Sequence, residues 1–211
     1  MKKLLPIYAA LFLAACGGSD DVDEPQPTPP VPKVEMNIDV CYLMQTSMGD
    51  ITFGLDKLNA PNTSDNFEKY IEVNHYDGLI FHRVIENFVV QGGGYNQNYE
   101  PVETFAPIAN EANNGLSNLR GTFAMARTNQ PHSATAQFYI NHQDNRSLDY
   151  SSDLPNSWGE YPGYGYAVFG QVLTGMDIVD QMAQVEVDYW NLPTTNIVIE
   201  TIYPIDCPSA E

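Results

Sequence analysis

Arg83 and Gln91 lie within FHRVIENFVVQGGG, Phe81 to Gly94, where a guanidinium and a primary amide are set among Phe81, Val84, Phe88 and Val90. Arginine stays protonated and presents a rigid fork of N–H donors. At an apolar surface such a fork can bind and polarise a neutral substrate, but it supplies no nucleophile. The plain alternative is a surface arginine lying over apolar neighbours, with His82 an ordinary half-buried histidine. Other chemistries fail on inventory. His75, His82, His132 and His142 form neither HExxH nor a close ligand cluster with carboxylates, so structural or surface roles suit them better than a metal site. There is no GxSxG, and neither Cys41 nor Cys207 sits in a nucleophile motif. Gly92-Gly93-Gly94 lacks the Lys-Ser/Thr of a phosphate loop and opens no helix, which argues against a nucleotide site.

These groups need elements to hold them. Asp39 to Leu55 alternates loosely and is interrupted at Met48-Gly49-Asp50, which predicts a strand-turn-strand hairpin. Asn62 or Ser64 is a candidate helix cap. Phe67, Tyr70 and Ile71 then repeat at helical spacing, with Asp65 and Glu68 near the helix start. Leu79–Val84 and Phe88–Gln91 read as strands, with the glycine triplet expected in a turn. Further strands are expected at Gly121–Arg127, Gln137–Asn141, Tyr166–Phe169 and Asn196–Tyr203. A second helix is expected at Gly175–Met182, with Met176, Val179 and Met182 inward. Many short strands with two helices favour a closed β-barrel over a parallel α/β sheet.

Composition sets the outer limits. The chain opens with Lys2 and Lys3, followed by an apolar run from Leu4 to Ala15 that is short for a membrane span. Leu13-Ala14-Ala15-Cys16 resembles a bacterial lipoprotein signal box, which implies cleavage after Ala15 and lipid on Cys16. An ordinary signal peptide cut near Ala15 is the alternative. Residues 16–37 are then expected to form a lipidated cysteine with an acidic, proline-rich tether, since GGSDDVDEPQPTPPVPK has no apolar run to offset the entropy of ordering. Gly17 after Cys16 resembles the sorting pattern for the outer membrane. Residues 38–211 remain for one folded domain. The net charge of −18 repels nucleic acid, and no basic patch or internal repeat appears.

FHRVIENFVVQGGG, NEANNGLSNLRGTFAMARTNQPHSATAQFYIN (Asn110 to Asn141) and YAVFGQVLTGMDIVD (Tyr166 to Asp180) together resemble the cyclophilin-type peptidyl-prolyl cis-trans isomerases, most closely their bacterial periplasmic branch. The resemblance implies a closed eight-stranded antiparallel β-barrel capped by two α-helices. It implies a monomer that acts on Xaa-Pro bonds of envelope polypeptides, without a cofactor or metal. By position, Arg83 falls on the catalytic arginine and Gln91 on the glutamine that holds it and contacts substrate. Phe88, Val89, Tyr139 and Leu148 fall on the proline pocket, with Tyr166 at a position that is histidine in many eukaryotic members. Ala126 and Arg127 fall on the edge that bonds the substrate backbone, with Gln137 beside them. A proline-peptide binding module or holdase with little turnover would use the same pocket. Three departures stand out. Ser147 replaces a rim tryptophan that the family's inhibitor cyclosporin uses. Tyr139 replaces a phenylalanine and brings a hydroxyl that needs a partner if buried. Arg127 replaces the asparagine of the eukaryotic pattern. Cys41 and Cys207 flank first and last strands that are neighbours in the family's barrel, which implies a disulfide; two separate thiols are the alternative.

Overall fold

The computed structural model describes residues 34–151 and 164–208. The signal segment, Cys16, the tether as far as Lys33, and residues 152–163 lie outside the described residues. The first hairpin pairs β1 (Val40–Thr46) with β2 (Gly49–Leu55), Thr46 opposite Gly49 and Val40 opposite Leu55. The turn is therefore Ser47-Met48, and Gly49 and Asp50 already belong to the second strand. After helix α1 (Pro61–Glu72) come β3 (Leu79–Ile85), β4 (Val89–Asn96), β5 (Thr122–Met125), β6 (Phe138–Asn141) and β7 (Val168–Thr174). Helix α2 (Met176–Ala183) and β8 (Ile197–Ile205) follow, and short 3-10 turns lie at Ala112–Asn114 and Arg146–Leu148. The strands close in the order β1-β2-β7-β5-β6-β4-β3-β8, each pair antiparallel. This is the expected eight-stranded barrel with two capping helices, and closure satisfies the strand edges an open sheet would expose.

Period-two alternation sorts the side chains into two groups. Phe53, Phe81, Phe123, Phe138 and Phe169 turn into the barrel and are fully buried. Phe67 of α1 plugs them, with its ring 5.2 Å from Phe138 and 5.1 Å from Phe169, and α2 adds Val179 and Met182 to the same core. Each such ring contributes about 1.5–3 kcal/mol on burial. The alternate residues Val89, Ala124, Tyr139 and Val168 form a second, smaller cluster on the other face of the wall. Val34 and Met36 pack against that cluster, so the packed unit extends N-terminally of Ile38.

Three local expectations are corrected. The glycine triplet is strand, within β4, because a side chain there would collide: a Cβ on Gly92 would lie 2.9 Å from the Phe81 ring, and one on Gly94 2.5 Å from the Gln137 side chain. Neither Asn62 nor Ser64 caps α1. The helix starts at Pro61, whose missing N–H is no loss at that position. The next free N–H groups are met from outside by Glu111, whose carboxylate accepts from the Thr63 N–H (2.8 Å) and hydroxyl (2.6 Å) and from the Asn62 N–H (3.2 Å). Finally, Tyr166 precedes β7 instead of lying in it, because its N–H is bonded to the Leu148 carbonyl (2.9 Å). At the chain ends Cys41 and Cys207 are joined by a disulfide, since β1 and β8 pair with Cys41 opposite Ile205.

Candidate active site

Arg83 and Gln91 are cross-strand partners on β3 and β4, as the register of that hairpin dictates. Arg83 Nη1 donates to Gln91 Oε1 (3.4 Å), and Gln91 Nε2 donates to Gln137 Oε1 (3.0 Å). In the chain Arg83–Gln91–Gln137 the middle amide accepts through Oε1 and donates through Nε2, which fixes its direction. The guanidinium carbon stands 5.8 Å from the centre of the Phe88 ring. His82, next to Arg83, packs against Tyr95 (4.6 Å between rings) and its Nδ1 has no hydrogen-bond partner among the described residues. Burial pushes its pKa down to about 4, so it is neutral at pH 7.

Beside this chain lies the second apolar cluster. Val89 and Tyr139 form its buried part, and Phe88, Ala126, Leu148 and Tyr166 its half-buried edge. The structure thus brings together every wall residue named from the sequence. A groove of about 160 Å³ runs alongside, lined by Gln91, Ala126, Arg127, Ser133, Thr135 and Gln137. The Ala126 N–H is used in the sheet, donating to the Gln137 carbonyl (2.9 Å), whereas the Arg127 N–H has no partner among the described residues. The Arg127 side chain turns the other way. Its Nε donates to the Gly165 carbonyl (3.0 Å), Nη1 to the Thr128 carbonyl (2.9 Å), and its guanidinium stacks 4.5 Å over Tyr166.

Behind this apolar cluster sits a polar network that sequence reasoning missed. The Tyr139 hydroxyl is raised in pKa by burial and donates to Asn118 Oδ1 (2.8 Å). Asn118 Nδ2 donates to Asp149 Oδ1 (3.0 Å) and the Tyr166 carbonyl (3.3 Å). Asn145 Nδ2 donates to the Phe88 carbonyl and to Asn141 Oδ1, both at 2.8 Å. Leu148 N–H reaches the Asn145 carbonyl (2.8 Å). Four residues of the cluster, Phe88, Tyr139, Leu148 and Tyr166, are therefore tied to one set of asparagines. The available signal was Asn141, a fully buried amide inside the apolar strand Phe138–Asn141, which demands partners. Ser147, between Arg146 and Leu148, is exposed and offers no large apolar face.

An arginine held by an amide chain beside an apolar cluster, on a closed eight-stranded barrel, is the arrangement with which the comparisons agree. Residues 41–203 match the model of the family described as cyclophilin type peptidyl-prolyl cis-trans isomerase/CLD. The chain is 48% identical over 162 residues to a peptidyl-prolyl cis-trans isomerase of Streptomyces antibioticus, covering 75% of this chain and 94% of that one. It is 44% identical over 161 residues to peptidyl-prolyl cis-trans isomerase B of Escherichia coli K12, covering 74% and 94%. A crystal structure of a cyclophilin-type isomerase of Cryptosporidium parvum shares the fold, with a TM-score of 0.62 at 23% identity over 80% of this chain and 99% of that one. The chain belongs to the cyclophilin-type peptidyl-prolyl cis-trans isomerases and is an enzyme of that class.

Proposed function

We propose that the chain isomerises Xaa-Pro bonds of cell-envelope polypeptides, with Arg83 stabilising the twisted amide and no covalent intermediate. The observation that carries this is Arg83, held by Gln91 and Gln137 beside the apolar cluster of Phe88, Val89, Tyr139, Leu148 and Tyr166, which serves as the proline pocket in this reading. An amide resists rotation through resonance, with a barrier of about 20 kcal/mol. Twisting breaks that resonance and leaves a usable lone pair on the prolyl nitrogen. A guanidinium N–H can donate to that lone pair in the transition state and hardly at all in the planar ground state, so the contact lowers the barrier selectively. The apolar walls hold the proline ring. The Arg127 N–H, which has no partner among the described residues, and the Gln91 amide hold the chain on the acyl side while its carbonyl swings.

Localisation rests on the N-terminus. The apolar run before Cys16 and the acidic, proline-rich stretch after it support a lipid-anchored protein of the bacterial envelope, facing the periplasm from the outer membrane, with residues 1–15 removed. Among the described residues no helix is long and apolar enough to cross a membrane.

The test is Arg83→Ala. Loss of one transition-state contact lowers kcat/KM on a proline peptide by at least about tenfold, with circular dichroism unchanged. Undiminished turnover by a folded variant sinks the role of Arg83. Peptide binding without turnover by the unsubstituted protein would make it a binding module or holdase.

A further inference from the structure

Two of the most exposed large side chains on the barrel are adjacent, Tyr189 (88% exposed) and Trp190 (76%), with their rings edge to face at 5.0 Å. Scattered exposed apolar residues such as Leu58 and Val73 are ordinary. This pair differs because the loop beneath it is built to hold it out. Asp188 Oδ1 accepts the N–H groups of Trp190 (2.8 Å) and Leu192 (2.9 Å), and the Asp188 N–H reaches the Leu192 carbonyl (2.9 Å). Asn191 closes the turn at a φ of 63° and donates to the Asp188 carbonyl (3.0 Å). Val187 and Pro193 bridge below, and Thr194 N–H meets the Glu186 carbonyl (2.9 Å).

The position of the loop points to its occupant. Pairing between β3 and β8 ends at Ile80 and Phe81. From there the free edge of β3 is taken over by this loop, with Val84 N–H donating to the Asn191 carbonyl (2.9 Å). Val84 directly follows Arg83. Backbones joined by such a bond lie about 4.8 Å apart, so the residue before Asn191, Trp190, stands beside the strand that carries Arg83. We propose that Tyr189 and Trp190 form an accessory subsite that receives a bulky apolar side chain of the client polypeptide flanking its Xaa-Pro bond. Aromatic residues are favoured contact residues at protein interfaces because they offer large area with few rotors. A chain with a net charge of −18 is repelled by anionic lipid, which favours a polypeptide over a membrane surface as occupant.

This inference rests on the isomerase reading, and its test separates the two. The full chain carries Cys16→Ser, so that no lipid is attached, and Trp158→Phe, so that Trp190 is the sole indole. Turnover is compared on an Ala-Pro tetrapeptide, a nonapeptide with Leu and Phe flanking Ala-Pro, and the same nonapeptide with Ser in their place. Trp190 emission shifts to the blue with the Leu/Phe nonapeptide. The double variant Tyr189→Ser/Trp190→Ser raises KM for that peptide about tenfold, leaves its kcat alone, and leaves the other two peptides unchanged. An equal effect on all three peptides, or on none, overturns the subsite. So does a Trp190 emission shift seen with phosphatidylcholine vesicles and absent with the peptide. If the unsubstituted loop gives no turnover of any peptide yet the emission shift and its Ser dependence persist, the isomerase reading falls and the subsite stands as a binding surface.

Discussion

Arg127→Ala tests whether this arginine acts through its side chain on a pocket wall. The structure gives that side chain three roles away from the groove: Nε to the Gly165 carbonyl, Nη1 to the Thr128 carbonyl, and stacking on Tyr166. Removing it leaves Gly165 with the Asn110 Nδ2 bond at 3.2 Å, so the segment is loosened and not released. A hydrogen bond from a charged donor contributes about 1.5–3 kcal/mol when well buried, and a cation–π contact near the surface about 0.5–1 kcal/mol. Arg127 is only half-buried, so the lower ends apply and water recovers part of the loss. The net weakening of the Tyr166 wall is about 1–1.5 kcal/mol. That corresponds to a rise in KM of about fivefold to tenfold, with kcat nearly unchanged because Arg83 and Gln91 are untouched. Arg127→Lys should fall between the two, since an ammonium keeps the charge but lacks the planar face and the Nε donor. The assay is steady-state isomerisation of a proline tetrapeptide, with the melting temperature falling only by about 2–5 °C as a fold control. An unchanged KM in a folded Arg127→Ala protein refutes the clamp. A lower kcat at constant KM would instead place Arg127 in the transition state.

Cyclosporin should inhibit weakly, by about a hundredfold or more relative to members with the rim tryptophan, because exposed Ser147 offers neither an indole donor nor a large apolar face; titration of activity checks this, and tight inhibition, or no gain in Ser147→Trp, counts against it. Stability should fall as the pH drops from about 6.5 to about 4. Half-buried His82 is held neutral down to about pH 4, and the pKa of His75 is also lowered by burial, whereas both protonate more readily in the unfolded chain. Urea titrations should show that His82→Gln weakens this slope, and parallel curves would exclude His82 as a source. Reducing the Cys41–Cys207 bond, which closes a 166-residue separation, should lower stability by about 5 kcal/mol in the chain-entropy picture, as measured by chemical unfolding with and without reductant.

What the sequence revealed and what it hid follow from the range of the interactions. Arg83 was legible as a charge set in a local apolar run, whereas the part of Gln91 in holding it came from the resemblance, and their contact depends on the β3–β4 register. The walls Phe88, Val89, Tyr139 and Leu148 were reached by resemblance, and their meeting depends on strand pairings that no local pattern states. Glu111 serves the start of α1 from 48 residues away, so inspection of Asn62 and Ser64 proposed caps where none was needed. The glycine triplet looked like a turn because its reason, close approach of Phe81 and Gln137, exists only once the β3–β4 register and the β4–β6 pairing are known. Tyr139 shows the same point most clearly. As a letter in QFYIN it is a departure that adds a hydroxyl to an apolar pocket. In the barrel, that hydroxyl meets Asn118 21 residues away, and the same asparagine also holds Asp149 and the Tyr166 carbonyl. A polar atom that would be costly alone becomes part of the frame that keeps Leu148 and Tyr166 in place. The arrangement of this apolar cluster therefore depends on buried amides as much as on its apolar members.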